Sequence, residues 1–570
     1  MYRLLVIPAV ILLLLAGAMF WSGGPAQKKA DFTFISTDEV HTLDTQRMSW
    51  MNDFRVAYGL WEGLYRLDPQ TLVAIPGTAN PIDVSADKTV YTFHIRPDAK
   101  WSNGDPVVAA DFIFAWRRLL EEPGEYTYLF HYIVGAKAYE DDFDKALKAF
   151  TDDSDPDHKT DHFAKADFSK VGIKELDRLT VRVTLEHPVL PFPDIVAMPP
   201  FFPMNEKAMK PFLDDKAFHD SHEHVRRYKK EFTHPPNLVT EGPYQLESWA
   251  YKRRLRMRAN PNYYDRDHVV SKVVDMIFAK DEQWAYADFT SGGADWLPDV
   301  AGEIAGELYA RHDPQAHIFP VFGTYFYSFN CQPKFNDGSP NPFADKRVRQ
   351  ALSMAIDKRV ITDTVVRSGQ IPTTTYIPPN SFKGYKTPAG LPYDIPRAQK
   401  LMAEAGYPRG AGFPHVHLLF NDDPPHAEVG ETIRRQWRDA LGIDVELESI
   451  EAVTFANRER NHDYAISRAS WYGDYLDPST FTDKYKPDSE NNESGWINTQ
   501  YADLCQKADI EIDPQKRLDY YAQAEALLLD EAPIIPIYVY TECYVMRKNV
   551  FGLPLNVRSM MVFSSVGVRH

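Results

Sequence analysis

The sequence predicts an α/β protein with more than one domain, and three observations support that class. The chain has 570 residues, of which 44% are hydrophobic, so it is long enough to bury several apolar cores. Its second half alternates helical and strand periodicities, which is typical of a layered α/β domain. Its first half contains short alternating segments bounded by turn residues, which indicate strands and hairpins.

The N-terminal segment predicts export. Residues 4–15 form an apolar run after a single charge, Arg3, and small residues follow at 16–18. A basic start, a short apolar stretch and a small-x-small site describe a secretory signal peptide, which we assign to residues 1–27. An uncleaved membrane anchor is the alternative, because the apolar run is of marginal length for spanning a bilayer. A lipid anchor is not expected, since Ala18 stands where the modified cysteine would be.

In the first half, a strand, a turn and a helix are predicted in succession. Residues 91–96 alternate apolar and polar side chains, residues 101–106 have turn composition, and residues 111–120 have helical periodicity. The helix would bury one face, formed by Phe112, Ala115, Trp116 and Leu119. Residues 138–170 are dense in Asp, Lys and His, so we expect them to form an exposed, mobile insertion.

The second half is more regular. A helix capped by Asp345 is predicted, and glycines should end two further helices in the left-handed conformation. The two glycine-ended helices are predicted at 397–405, followed by Gly406, and at 428–441, followed by Gly442. A further helix is predicted at 514–530, where Asp513 precedes Pro514. Strands are predicted at 443–447, which alternates strictly, and at 323–329 and 534–540, which are apolar and aromatic as buried strands are.

Composition narrows the function classes. The formal net charge of −17 argues against nucleic acid, which requires a basic surface. The three cysteines match no zinc motif, and we expect largely free, buried thiols at Cys331, Cys505 and Cys543. The motifs G-x-S-x-G, H-E-x-x-H and G-x-x-x-x-G-K-[ST] are absent, so the sequence predicts neither an enzyme nor a resident metal or cofactor.

The segment most informative about function is residues 468–478, RASWYGDYLDP. It holds one cation, Arg468, and one anion, Asp474, six residues apart with aromatic residues between them. A zwitterionic ligand with a free ammonium and a free carboxylate needs such a pair, and aromatic walls suit its side chains. The alternative is an ordinary surface turn whose charges are solvated.

Together with its neighbours, this segment resembles the periplasmic oligopeptide-binding proteins, the substrate receptors of ABC peptide importers. The resemblance extends from about residue 43 to the C-terminus. It is strongest at residues 61–64 (WEGL), 91–119, 344–358 and 447–478.

The resemblance implies a two-lobed periplasmic-binding-protein fold (Venus-flytrap, type II) with an additional smaller domain. Lobe I would be discontinuous, comprising residues 28–62, 205–322 and 539–570. The smaller domain would be residues 63–204 and lobe II residues 323–538. The strands at 323–329 and 534–540 are expected to cross between the lobes.

The resemblance also implies roles for individual residues. Asp474 would hold the α-ammonium of the ligand, and Arg468 would meet the C-terminal carboxylate of short peptides, because a planar guanidinium binds a carboxylate bidentately. The other residues expected in the cleft are Asn421, His426, Tyr126, Trp471 and Asn491. For each of these, ordinary packing in a core or loop is the alternative.

Several departures from the family pattern limit what can be transferred, and two of them concern the site. Members from enteric bacteria have a cysteine pair where this chain has Gly323 and Tyr472, so that tether is missing. Glu459 stands where relatives have an arginine near the carboxylate end of the ligand. The preferred peptide length therefore does not follow from the resemblance.

The function implied is that of an exported, monomeric protein that captures oligopeptides between two lobes and delivers them to an ABC permease with cytoplasmic ATPases, without performing chemistry. Three alternatives stay open. The same fold can bind a cell-wall peptide, a metal chelate, haem or a sugar. The protein can signal to a membrane sensor, or it can be an exported hydrolase.

Overall fold

The computed structural model describes residues 29–68, 71–152, 161–221, 224–487, 489, 491–553, 556–558 and 560–569. The predicted signal peptide or anchor at residues 1–27 lies outside these ranges. Within them, no helix is both long enough and apolar enough to cross a membrane.

The largest sheet in the described part of the chain has eleven strands. From one edge to the other, ten strands follow the order Glu446–Ile450, His417–Asn421, Ile466–Tyr472, Ala316–Phe329, Ile534–Met546, Trp296–Leu297, Phe32–Ser36, Val273–Phe278, Arg254–Ala259 and Tyr244–Ala250. The eleventh strand, Ile371–Pro372, is not part of this order and pairs with residues 538–539 of Ile534–Met546.

Two long antiparallel strands at the centre of this sheet connect its halves. Ala316–Phe329 pairs with Ile466–Tyr472 through residues 323–329, on the side of predicted lobe II. Ile534–Met546 pairs with Trp296–Leu297 through its last residues, on the side of predicted lobe I. Both predicted strands, 323–329 and 534–540, are therefore confirmed as parts of longer ones. The register between them shifts after Pro320, which has no N–H to donate to the ladder.

A separate four-stranded antiparallel sheet forms the core of the smaller domain, in the order Ala79–Val84, Val90–Ile95, Thr180–Thr184 and Ile173–Asp177. The predicted helix at 111–120 is confirmed as Ala109–Glu121, and its four predicted apolar residues are buried. The prediction of an exposed insertion at 138–170 is wrong in its first part. Ala136–Asp152 is a helix that buries Tyr139, Phe143 and Ala146, since an i, i+4, i+7 spacing places them on one face despite the charges around them.

Most of the helices lie outside the smaller domain. The α-helices among the described residues are Met51–Leu60, Ala109–Glu121, Ala136–Asp152, Phe192–Val196, Glu206–Met209, Asp215–Asp220, Glu282–Ser291, Gly302–Ala310, Lys346–Met354, Lys358–Val360, Ile395–Glu404, Pro424–Leu441, Ala452–Arg460, Ser479–Thr482, Thr499–Ile510 and Pro514–Glu531. The short strands are Tyr65–Leu67, which pairs with Ala74–Pro76, and Val550–Phe551, which pairs with Gly567–Val568.

The predicted helix ends are confirmed. The Asp345 and Asp513 side chains accept hydrogen bonds from backbone N–H groups of the first turns that follow them. Gly406 and Gly442 both have the positive φ expected after a helix. The predicted strand at 443–447 is displaced and lies at Glu446–Ile450, because Ile443 and Val445 are buried in the connection before the sheet begins.

Candidate functional site

The segment 468–478 lies near the centre of the large sheet, where the two halves meet. Its first part belongs to the strand Ile466–Tyr472, which pairs with the long central strand so that Arg468 is opposite Tyr327 and Trp471 is opposite Thr324. The chain then leaves the sheet, and Asp474 follows in the connection to the helix Ser479–Thr482. Arg468 and Asp474 are both half-buried, which sets them apart from solvated turn charges.

The direct contacts of Arg468 are with aromatic and amide groups, and the acids Asp423 and Glu459 are near enough only to feel its charge. Its Nη2 donates to the Tyr540 hydroxyl at 3.0 Å, its Nη1 lies 3.5 Å from Asn421 Oδ1, and its guanidinium carbon lies 5.1 Å from the centre of the Tyr325 ring. Its Nε is buried and has no hydrogen-bond partner. Among the residues described, no carboxylate forms an ion pair with it. A partly buried cation without an ion-pair partner can bind an anion from outside the protein.

His426 completes the surroundings of Arg468. It lies in the first turn of the helix Pro424–Leu441, it is buried, and its Nδ1 lies 3.4 Å from the Tyr325 hydroxyl. Burial, together with the positive charge of Arg468, lowers the pKa of His426 to about 3, so the imidazole is neutral at neutral pH. We call the set Arg468, Asn421, His426, Tyr325 and Tyr540 the arginine cluster.

Asp474 accepts a hydrogen bond of 2.6 Å from the Tyr128 hydroxyl. Its own N–H donates to Thr480 Oγ1 at 3.0 Å, and its carbonyl oxygen accepts from Arg558 Nη2 at 2.5 Å, so its backbone is fixed on both sides. In the described part of the chain, no Lys, Arg or His side chain forms an ion pair with its carboxylate. Burial raises the pKa of Asp474, opposed by the Tyr128 hydrogen bond and the charge of Arg558.

Tyr126 and Tyr128 form one wall beside Asp474. The Tyr126 ring lies 6.5 Å from that of Tyr128 and 5.6 Å from that of Phe54. Sequence reasoning selected Tyr126 and missed Tyr128, which makes the hydrogen bond. The run of tyrosines two residues apart was the only available signal, and it does not say which hydroxyl reaches Asp474. We call the set Asp474, Tyr126, Tyr128 and Thr480 the aspartate cluster.

The two remaining predicted residues lie beside these clusters. Trp471 is half-buried, its Nε1 donates to the Thr480 carbonyl oxygen at 2.7 Å, and the Lys484 ammonium lies 4.9 Å from the centre of its ring. The structure does not bring the exposed side chain of Asn491 into either cluster. Its backbone is engaged instead: its carbonyl oxygen accepts from Lys484 Nζ at 2.6 Å and its N–H donates to Ser489 Oγ at 3.3 Å.

The structure shows which contacts are made at the positions that depart from the family pattern. Gly323 and Tyr472 are directly paired across neighbouring strands. A Cβ on Gly323 would lie 2.6 Å from the Tyr472 ring, and that ring stacks on Tyr540 with centres 4.9 Å apart, so aromatic packing occupies this place. Burial raises the pKa of Glu459 to about 7, and its carboxylate accepts from Ser467 Oγ at 2.7 Å.

The cysteines are free thiols, as predicted. Cys505 and Cys543 are buried and Cys331 is partly buried. Burial raises the pKa of Cys331 to about 11, so this thiol is not ionised at neutral pH.

Comparison with known proteins identifies the family. The profile of the bacterial extracellular solute-binding proteins, family 5, middle region, matches residues 73–493. The chain belongs to this family. This membership agrees with the resemblance to oligopeptide-binding proteins that the sequence shows over most of the chain. The oligopeptide-binding protein OppA of Bacillus subtilis is 29% identical over 489 residues, which cover 84% of this chain and 82% of that protein.

Solved structures show the same fold for this family 5 solute-binding protein. A periplasmic oligopeptide-binding protein of Borrelia burgdorferi superposes with a TM-score of 0.75 at 27% identity, over 95% of this chain and 100% of that one. The murein tripeptide binding protein MppA of Escherichia coli gives 0.76 at 26% identity, over 95% and 99%. The predicted two-lobed type II fold with an additional domain is confirmed. The predicted domain limits are not tested by these comparisons.

Proposed function

We propose that this solute-binding protein captures oligopeptides by both ends, with the peptide carboxylate on Arg468 and the peptide ammonium on Asp474. The observation that carries the proposal is a pair of half-buried, opposite charges, six residues apart, neither of which has an ion-pair partner in the described part of the chain. Each charge gains a partner when a zwitterion binds. An uncharged sugar would leave both charges without partners, which is costly in a dehydrated site.

The remaining parts of the proposal follow from the family. Relatives named as oligopeptide-binding proteins support peptides as the ligand class. We infer that the protein acts outside the cytoplasm, in the periplasm, without a lipid anchor and with its N-terminal segment either cleaved or retained as a tether. A single chain would deliver the peptide to ABC permease subunits driven by cytoplasmic ATPases, and the protein would perform no chemistry.

Two paired strands near the centre of the large sheet supply part of the proposed peptide environment. The strand Ile466–Tyr472 and the long central strand present main-chain groups and aromatic rings, a combination that suits an extended peptide. The side chains of such a ligand would lie in spaces lined by Trp471 and Tyr472, whose rings contact peptides of varied sequence without selecting one. Closure of two lobes on the ligand would then shift a hinge equilibrium that a permease can recognise.

Calorimetric titration of the purified protein, unfolded and refolded to remove bound ligand, tests the proposal. Unmodified tri- to pentapeptides should bind saturably with one site per chain, whereas a nickel chelate, haem and a neutral oligosaccharide should not. Saturable binding of one of those three, without binding of any peptide, would overturn the proposed ligand class while leaving the family assignment intact.

A further inference from the structure

Two histidines and a glutamate gather on the edge of the large sheet, away from the arginine and aspartate clusters. His417 begins the strand His417–Asn421, and His415 lies two residues before it. Glu446 is the residue paired with His417 on the neighbouring strand, Glu446–Ile450, which forms the edge of the sheet. One ligand atom from each of the three side chains lies within 4.8 Å of the others.

Strand geometry explains why these side chains converge. Residues two apart on an extended chain point to the same face, so His415 and His417 project together, and their ring centres are 5.4 Å apart with the planes at 87°. The His415 Nε2 atom lies 3.3 Å from a carboxylate oxygen of Glu446. The His415 and Glu446 side chains are exposed. The His417 side chain is partly exposed, with its Nδ1 buried 3.6 Å from a carboxylate oxygen of Glu448. Small rotations about these side-chain bonds can bring the ligand atoms closer without moving the backbone.

No arginine or lysine among the described residues competes with a metal ion for the Glu446 carboxylate. The nearby acids Asp444 and Glu448 are each bonded to an arginine, Arg434 and Arg458 respectively. Glu446 has no Lys or Arg partner within the described part of the chain, and its ion pair is with His415. Its carboxylate therefore has no competing fixed cation when a metal ion approaches the two imidazoles.

We propose that His415, His417 and Glu446 form a zinc site. Two imidazole nitrogens and one carboxylate oxygen are ligands that Zn²⁺ prefers, and water would supply the fourth position. A tetrahedral ion needs ligand atoms about 3.3 Å apart, given Zn–N distances of about 2.0–2.1 Å, so ligand atoms that now lie within 4.8 Å of one another would close by about 1.5 Å at most. The ion would join the edge strand to its neighbour and so protect an exposed sheet edge.

The zinc site is separate from the proposed peptide site. Asn421, which faces Arg468, is at the opposite end of the strand from His417, about 13 Å away at roughly 3.3 Å per residue. Zinc binding and peptide binding should therefore be independent. The sequence alone did not reveal the site, because its three ligands come from two strands separated by a long helix.

Calorimetric titration of Zn²⁺ into the purified, EDTA-treated protein tests the proposal. One ion should bind per chain, raise the melting temperature and leave peptide affinity within twofold. His415→Ala, His417→Ala and Glu446→Gln should each weaken zinc binding at least tenfold. His94→Ala is the matched control, since His94 is an exposed histidine 2.9 Å from Asp83 elsewhere on the molecule, and it should change zinc affinity less than twofold.

The three substitutions are at exposed or partly exposed positions, and circular dichroism will show whether each variant is folded. A visible absorption band on addition of Co²⁺, absent from the His417→Ala protein, would support tetrahedral coordination by these residues. The proposal is overturned if no saturable binding of one ion occurs, or if the three variants bind zinc as well as the His94→Ala control does.

Discussion

Arg468 and Asp474 lie close together on one segment, yet the arginine cluster and the aspartate cluster hold their charges differently. Arg468 is set among tyrosines, and its Nε is buried without a partner. Asp474 already accepts a hydroxyl from Tyr128, and burial raises its pKa. A guanidinium stays charged in such surroundings, whereas a carboxyl can take up a proton. The arginine cluster is therefore a permanent charge and the aspartate cluster a titratable one.

The difference indicates how the two ends of a bound peptide would be held. At the arginine cluster the neighbours of Arg468 are neutral amide, hydroxyl and imidazole groups, so removing Arg468 leaves the peptide carboxylate without an opposite charge. At the aspartate cluster Tyr128 supplies a second polar group, so a neutral replacement of Asp474 keeps part of the interaction. We expect the arginine cluster to contribute more affinity and the aspartate cluster to contribute the pH dependence.

Arg468→Met should have the largest effect. Loss of one partner of a buried ion pair costs about 3–5 kcal/mol, so tripeptide affinity should fall at least a hundredfold. The measurement is calorimetric titration with an unmodified tripeptide. Arg438→Met, at a half-exposed arginine on the far end of the helix Pro424–Leu441, is the control and should change affinity less than twofold. A fall below fivefold for Arg468→Met would contradict the assigned role.

Asp474→Asn should weaken the same tripeptide by about ten- to a hundredfold. The asparagine keeps the shape and an oxygen that can accept from Tyr128 and from the peptide ammonium, so the cost is that of one charge-assisted hydrogen bond, about 1.5–3 kcal/mol. If Asp474→Asn proves more damaging than Arg468→Met in parallel titrations, the order inferred from the two clusters is wrong.

The pH dependence of peptide affinity should come from the aspartate cluster. A peptide ammonium stabilises the ionised Asp474, so the complex binds fewer protons there than the free protein does. Affinity therefore falls as pH falls through the raised pKa of Asp474, and the fall begins at a higher pH than for an ordinary carboxyl of pKa about 4. Titrations between pH 4 and 7 measure this slope, which should flatten in Asp474→Asn. An equal slope in both proteins would assign the titration to another group.

Tyr128→Phe should have the smallest effect on affinity. It removes the hydroxyl that stabilises the ionised Asp474, which costs about 0.5–1.5 kcal/mol, and it should move the pH-dependent loss of affinity to higher pH. Tyr132→Phe is the matched control, because the Tyr132 hydroxyl donates to Asp483 and not to Asp474. Identical pH profiles for the two variants would remove Tyr128 from the aspartate cluster.

Local patterns predicted much of the fold. The helices Ala109–Glu121 and Pro424–Leu441 and the two central strands follow from periodicity and end signals. The helix Ala136–Asp152 was missed because only four buried residues mark its apolar face among many charges. The start of the strand Glu446–Ile450 was misplaced because Ile443 and Val445 are buried before the sheet begins.

The site could be predicted only in part, because its contacts join distant parts of the chain. Arg468 and Asp474 were accessible as one short motif. The Tyr128 hydroxyl reaches Asp474 across 346 residues, and Arg558 fixes the Asp474 carbonyl from 84 residues away. No local pattern specifies which tyrosine or arginine will make such a contact. These partners follow from how the parts of the chain pack together.

A thermodynamic cycle tests most directly whether Arg468 receives the peptide carboxylate. Tripeptides with a free or an amidated C-terminus would be titrated into the wild-type protein and into Arg468→Met. Amidation should weaken binding to the wild type at least tenfold, about 1.4 kcal/mol, and should have less than a twofold effect on the variant. An equal loss in both proteins would show that the peptide carboxylate lies elsewhere and would contradict the proposed arrangement.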